Sequence, residues 1–225
     1  MIKNGVNIPE IEKKPGEIWL NIGCGIVLLK DFINVDKYVT ADFIQKSLNG
    51  EFISNGVRLI AKVEPGAEFV EGDILNLPFP DNYADYLECI DVVEHLNYRE
   101  VPKAFSELYR VMKPGGIIKL LTNDWDQVAR LWVAMSEHPY DPESYVELTQ
   151  LLYGNQNHSG EYHHAPFNAP YLEKCVTDAG WKNYNLVRYA FGSSTYPPFR
   201  SNKTMVKTDQ PFFLRSDMLY VEAIK

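Results

Sequence analysis

A short apolar run, Ile18 to Ile22, breaks off at Gly23-Cys24-Gly25, and seven residues further on a second run, Phe32 to Val35, delivers Asp36. An apolar run of this length that stops at glycines reads as a buried parallel strand. Without a Cβ, Gly23 and Gly25 can take positive φ and let backbone amides approach a ligand at the carboxyl edge of a sheet, where doubly wound folds bind. Asp36 stands at that same edge. Its carboxylate can accept hydrogen bonds from the two vicinal hydroxyls of a ribose. The alternative is an ordinary tight turn beside a surface aspartate, and the rest of the chain bears on the choice.

A third strand, Ala67 to Val70, runs into Asp73 as the second ran into Asp36. Pro78, Pro80 and Asp81-Asn82 then make a turn before the strand Tyr86 to Ile90. Helical spacing follows over Val101 to Met112, closed by Lys113-Pro114-Gly115-Gly116, and the strand 116–122 comes without a linker. Residues 41–50 also have helical spacing, whereas 52–60 fits helix or strand. Strands alternating with helices at this interval demand an α/β fold: a doubly wound, mostly parallel seven-strand sheet, Rossmann-like, with helices on both faces.

Beyond Thr122 the pattern changes to two helices, 124–138 and 142–154, with no strand between them. A polar, His-rich loop follows, NQNHSGEYHHAPFN. An insertion after a strand's carboxyl end sits above the ligand edge, so residues 124–169 are expected to form a lid and substrate wall. A helix over 170–181, a strand Tyr184 to Ala190 and a final run 212–225 complete the chain. These last two strands, joined by a loop with Pro197, Pro198 and Pro211, suggest a sheet-edge hairpin whose last strand lies antiparallel. Residues 1–16 read as a polar lead-in lying on a single domain, 1–225.

A formal net charge of −8 without a basic run argues against nucleic acid as a partner. Cys24, Cys89 and Cys175 are odd in number and scattered, as befits reduced thiols. No stretch has the length of a signal-peptide core or a membrane helix, so a cytoplasmic protein without membrane partners is expected. The sequence leaves the oligomeric state open.

Taken together, these motifs resemble the class I S-adenosylmethionine-dependent methyltransferases, in the small-molecule, type 11-like branch. The resemblance covers most of 18–112, KPGG at 113–116, the AGW helix end and the VEAIK terminus. It implies that LNIGCG, with Asn21, Gly23, Cys24 and Gly25, passes under the methionine part of the cofactor. It places Asp36 on the ribose with Lys37 beside it, Asp73 on the adenine amino group with Ile74 near the ring, and Ile90 and Asp91 along the methyl-transfer site. Two features depart from the family pattern: Asn21 where an acidic residue is frequent, and Val27 where a third glycine is. The ten residues between Gly25 and Asp36 also leave the usual helix little more than a turn. The missing glycine of G-x-G-x-x-G, replaced by Leu28, disfavours a pyrophosphate cradle and so a dinucleotide.

The resemblance implies methyl transfer to a small-molecule acceptor at oxygen or nitrogen by in-line displacement, which asks the protein to hold a nucleophile near attack distance and exclude water. His163 and His164 of the loop, with His158, Glu161 and Tyr162, and His95 beneath them, are the candidate general bases. As neighbours in an extended loop, His163 and His164 point opposite ways. Asp91, Glu94 and His95 share the spacing of one helical face. With a lid histidine they form a possible divalent-cation set, similar to the E-x-x-E-H of ubiquinone-biosynthesis and small-RNA terminal methyltransferases; the other reading is a Glu-His pair that caps the next helix. Asn123, Asp124 and Trp125 either touch the acceptor or start a helix. An aminopropyl transferase and a catalytically silent, cofactor- or partner-binding domain are the alternative functions.

Overall fold

The computed structural model describes residues 2–3, 12–51, 53–54, 57–58, 61–136, 142–156, 159–189 and 218–225. Its strands are β1 (Ile2–Lys3), β2 (Trp19–Ile22), β3 (Val27–Leu28), β4 (Ile33–Asp36), β5 (Ile53–Ser54), β6 (Val57–Arg58), β7 (Lys62–Val63), β8 (Glu68–Glu71), β9 (Ala84–Ile90), β10 (Met112–Asn123), β11 (Asn183–Tyr189) and β12 (Met218–Ile224). The helices are α1 (Ala41–Leu48), α2 (Val101–Val111), α3 (Trp125–Ser136), α4 (Pro142–Tyr153) and α5 (Ala169–Ala179). His158 and the three prolines of the late loop fall outside the described residues. The ambiguous stretch 52–60 contributes the two-residue antiparallel pair β5 and β6.

The main sheet runs β1-β11-β12-β10-β9-β2-β4-β8. Its seven expected strands are parallel from β8 through β10, and β12 lies antiparallel between β10 and β11. The two residues of β1 add an eighth strand beyond β11. The short spacing after Gly25 leaves no helix, in keeping with the little more than a turn expected there: residues 26–32 hold turns and β3, which pairs with β7 in a separate ribbon.

Strand order steps one way from β2 to β4 to β8 and the other way from β9 to β10. Right-handed crossovers therefore place α1 and α2 on opposite faces and leave a crevice where the direction reverses. The packing agrees. Leu20, Ile22, Leu87, Cys89 and Leu120 meet Phe105 and Leu108 of α2 and Leu172 and Val176 of α5 in one core. Ile44 of α1 packs with Cys24, Leu28 and Val39 in another. Among the described residues, no helix is long and apolar enough to cross a membrane.

One row of polar residues crosses the sheet at a single level. Pairing places Asn34 beside Asn21, Asn21 beside Glu88, Glu88 beside Lys119, Lys119 beside Glu222 and Glu222 beside Asn185. All but Glu222 are buried. Hydrogen bonds along the row make most of this burial tolerable: Asn21 Nδ2 donates to Asn34 Oδ1 at 2.9 Å, Tyr86 Oη to Glu88 at 2.6 Å, and Tyr220 Oη and Asn185 Nδ2 to Glu222 at 2.8 Å each, while Asn21 Oδ1 has no partner among the described residues.

A clamp on α2 holds the turn that follows β8. Glu107 accepts from Leu77 N at 2.7 Å and from Arg110, whose guanidinium also reaches the carbonyls of Leu77 and Phe79 and the carboxylate of Asp81. Arg110 brings the Glu107 carboxyl below its usual value of 4.5, against the opposing effect of burial. A group depressed in the folded state contributes stability above its unfolded value and loses it as pH falls. Glu107→Gln should therefore cost about 1–3 kcal/mol at pH 7, a cost that shrinks below pH 4.5 as urea midpoints of the two proteins converge. A penalty independent of pH would mean that the clamp acts through packing alone.

Candidate active site

The crevice opens between the carboxyl ends of β2 and β9. On the β2 side Gly23 and Gly25 have φ of +62° and +53°. Val92, just past β9, packs directly on Gly23: a Cβ built there would lie 2.3 Å from Val92 Cγ2. Gly25 opens onto space, since a Cβ there meets nothing within 4 Å.

Asp36 ties this corner to the next strand end. Its Oδ2 accepts from Gly25 N at 2.9 Å, and its Oδ1 accepts from Tyr38 N at 2.8 Å and Val39 N at 2.9 Å. These three bonds take three of the roughly four acceptor positions of a carboxylate. β8 pairs with β4, which sets the start of the Asp73 turn beside the end of β4. Asp73 Oδ1 accepts from Leu75 N at 2.9 Å, and Asp73 Oδ2 lies 2.8 Å from Lys37 Nζ. Burial opposes ionisation of Asp73, yet Lys37 and the Leu75 amide bring its carboxyl below the usual range. Two carboxylates on neighbouring strand ends, beside a bare glycine corner, fit a nucleoside with an uncharged sugar and base.

The other sequence-predicted contacts sit deeper. The Asn21 amide donates to Val27 O and Asn34 Oδ1, so it braces the glycine loop from within the sheet. Cys24, Ile74 and Ile90 are buried in apolar clusters.

Beyond β9 the expected helical face does not form. Asp91 takes a left-handed φ of +53° and is exposed, which breaks the backbone before a 3₁₀ turn of only Val93–His95. Asp91 therefore does not share a helical face with Glu94 and His95. The Glu-His pair does not cap the next helix either, because α2 begins at Val101. Instead the backbone carbonyl of Glu94 accepts from His164 N at 2.8 Å and Ala165 N at 3.0 Å, pinning the His-rich loop to this turn. His163 is the histidine that faces in: its ring meets that of His95 edge-on at 4.8 Å. His164 is exposed and stacks on Tyr162 at 6.0 Å.

Glu94 is buried, and one oxygen, Oε2, accepts from Thr122 Oγ1 at 3.0 Å. Burial, reinforced by the Asp91 charge, pushes its carboxyl up to about 8. Burial also lowers His163, which favours the neutral imidazole. Ligand-capable atoms of Glu94, His95 and His163 all lie within 4.8 Å of one another.

The loop spans the crevice. At one end Gly160 sits on Tyr38, two residues past Asp36, so closely that a Cβ would lie 2.4 Å from the ring; at the other it is bonded to Glu94. Gly154 lets the chain turn beneath the Glu161 carbonyl. α3 and α4 pack on each other through Val128, Leu148 and Leu152. Asp124 starts α3, its Oδ1 accepting from Asp126 N at 3.1 Å, and its other oxygen pairs with Arg188 on β11. Sequence reasoning missed Arg188, Thr122 and the clamp on α2. A lone arginine or threonine within an apolar strand was the available signal for the first two.

Residues 20–120 match the family model described as a methyltransferase domain. A sterol 24-C-methyltransferase of Schizosaccharomyces pombe is 28% identical over 119 residues, covering 50% of this chain and 30% of that protein. The chain thus spans about a third of the length of such curated relatives. Two crystal structures share the fold. One is a methyltransferase of Thermotoga maritima described as a possible histamine N-methyltransferase (TM-score 0.53, 15% identity, 94% of this chain and 84% of that one). The other is a methyltransferase of Methanosarcina mazei (0.52, 15%, 94% of both). These findings give the chain the fold of these methyltransferases, with a methyltransferase-domain match over residues 20–120.

Proposed function

We propose that the chain is a class I methyltransferase that uses S-adenosylmethionine as cofactor to methylate an oxygen or nitrogen of a small molecule held between the crevice and the 159–165 loop. The family match ends at residue 120, before α3, so the acceptor side lies outside the matched residues. The observation that carries the reading is the meeting of Glu94, His95 and His163 one turn beyond Val92, which itself rests on the glycine corner. The bound cofactor supplies an electrophilic methyl group on a sulfonium. The protein's part is to set the acceptor's lone pair in line with the breaking S–C bond and to take up the acceptor's proton.

His163 suits the second task. Its Nδ1 donates to Leu151 O at 2.9 Å, which fixes the tautomer with an Nε2 lone pair, and its depressed basicity keeps that lone pair available at neutral pH. The loop, packed on Tyr38 at one end of the crevice and bonded to Glu94 at the other, keeps water from the methyl. Asp36, Asp73 and the Gly23–Gly25 corner bind the nucleoside and its sulfur-bearing tail.

Calorimetry with S-adenosylhomocysteine, combined with transfer of labelled methyl to a panel of hydroxyl and amine acceptors, tests this. His163→Ala should leave cofactor affinity within about twofold and lower turnover roughly 10²- to 10⁴-fold. Cofactor binding without transfer to any acceptor of either class would reassign the chain as a silent binding domain.

A further inference from the structure

We infer that Glu94, His95 and His163 form a binding site for a first-row divalent cation, and that the acceptor presents a hydroxyl to it. This rests on the methyltransferase reading and narrows it to oxygen. Three observations point to a ligand. First, the ligand-capable atoms of the three residues converge within 4.8 Å. Second, Glu94 is 1% exposed, and while its Oε2 is bonded to Thr122, its Oε1 has no hydrogen-bond partner among the described residues. A buried carboxylate oxygen left unpartnered costs the fold free energy unless something fills the position.

Third, both imidazoles are oriented from behind in the manner of metal ligands. His163 Nδ1 is bonded to the carbonyl of Leu151 at 2.9 Å and His95 Nδ1 to the carbonyl of Tyr162 at 3.2 Å. A backbone carbonyl can only accept, so each Nδ1 carries the proton and each Nε2 the lone pair. Carbonyl-braced imidazoles with a hydroxyl-braced carboxylate make the outer shell that fixes a metal's ligands. The donor set of two nitrogens and one oxygen selects Zn²⁺, Mn²⁺, Fe²⁺ or Co²⁺ over Mg²⁺ and Ca²⁺, which take oxygen ligands. Three protein ligands leave coordination positions for an exogenous oxygen.

The site requires no large movement. Glu94 and His95 share one 3₁₀ turn, and His163 is carried to them by the amides of His164 and Ala165 on the Glu94 carbonyl. With the cation in place, an acceptor hydroxyl bound to it gives its proton to solvent. The resulting oxygen pair attacks the methyl carbon as the S–C bond breaks and its electrons stay on sulfur. His163 then serves as ligand in place of proton acceptor.

The full chain, dialysed against chelator and titrated with Co²⁺, tests the site without reference to turnover. One equivalent of Co²⁺ should produce visible d–d absorption, and Zn²⁺ should displace it. His163→Ala and Glu94→Gln should each weaken Co²⁺ affinity at least tenfold, and Thr122→Val, which keeps the shape but removes the brace, by roughly 10- to 100-fold. S-adenosylhomocysteine affinity reports that each variant is folded. Absence of one-to-one Co²⁺ binding in a chain that binds S-adenosylhomocysteine, or binding equally tight in all three variants, overturns the cation site and leaves the methyltransferase reading standing. Failure to bind S-adenosylhomocysteine, whatever Co²⁺ does, overturns the reading on which it rests.

Discussion

Gly25→Ala should destroy cofactor binding and leave the fold largely intact, whereas Gly23→Ala should damage the fold itself. The two glycines have similar backbone angles, and a left-handed conformation costs an alanine about 1–2 kcal/mol at either position. Their surroundings separate them. At Gly25 the added methyl enters open space, which the proposed function gives to the cofactor's tail, so the stability loss stops at the backbone term while S-adenosylhomocysteine affinity should fall at least tenfold. At Gly23 the methyl overlaps Val92, adding about 1–3 kcal/mol of overpacking. Thermal denaturation with and without S-adenosylhomocysteine distinguishes the cases, and Gly23→Ala combined with Val92→Ala should recover part of the loss. Undiminished affinity in Gly25→Ala would mean that the cofactor lies elsewhere on the edge.

Asp36→Ala carries the second large effect. Loss of charge-assisted bonds to the ribose should weaken binding by about 1.5–3 kcal/mol, roughly 10- to 150-fold. The structure adds a penalty that the sequence could not reveal, because Asp36 also holds the amides of Gly25, Tyr38 and Val39. Asp36→Ala should therefore lower thermal stability even without cofactor. Asp36→Asn keeps one acceptor oxygen and should lie between the two proteins in both measurements. Equal cofactor affinity in all three would place the ribose on some other residue.

Much of this edge was legible because strand ends announce themselves. Asp36 and Asp73 follow apolar runs in register, and Gly23 and Gly25 end one. What failed was spacing treated as geometry. Asp91, Glu94 and His95 have helical intervals, but a left-handed turn at Asp91 removes it from the set and leaves the place to His163, nearly seventy residues away along the chain. No local pattern predicts that meeting, since it depends on a carbonyl of Glu94 capturing two amides of the loop. The opposed orientation of His163 and His164 did follow from extended backbone. The clamp by Arg110 lay hidden because its partners are mostly main-chain carbonyls, which any sequence supplies.

The row from Asn34 to Asn185 bears on how the chain avoids folding wrongly. Six strands each contribute one polar group at one level. A slip of a single residue in any pairing would swing that group to the opposite side and bury a charge or amide among leucines, with no partner to receive it. Misaligned sheets are thus penalised strand by strand, so these six side chains act as a proofreading mark for assembly, independent of any chemistry at the far rim.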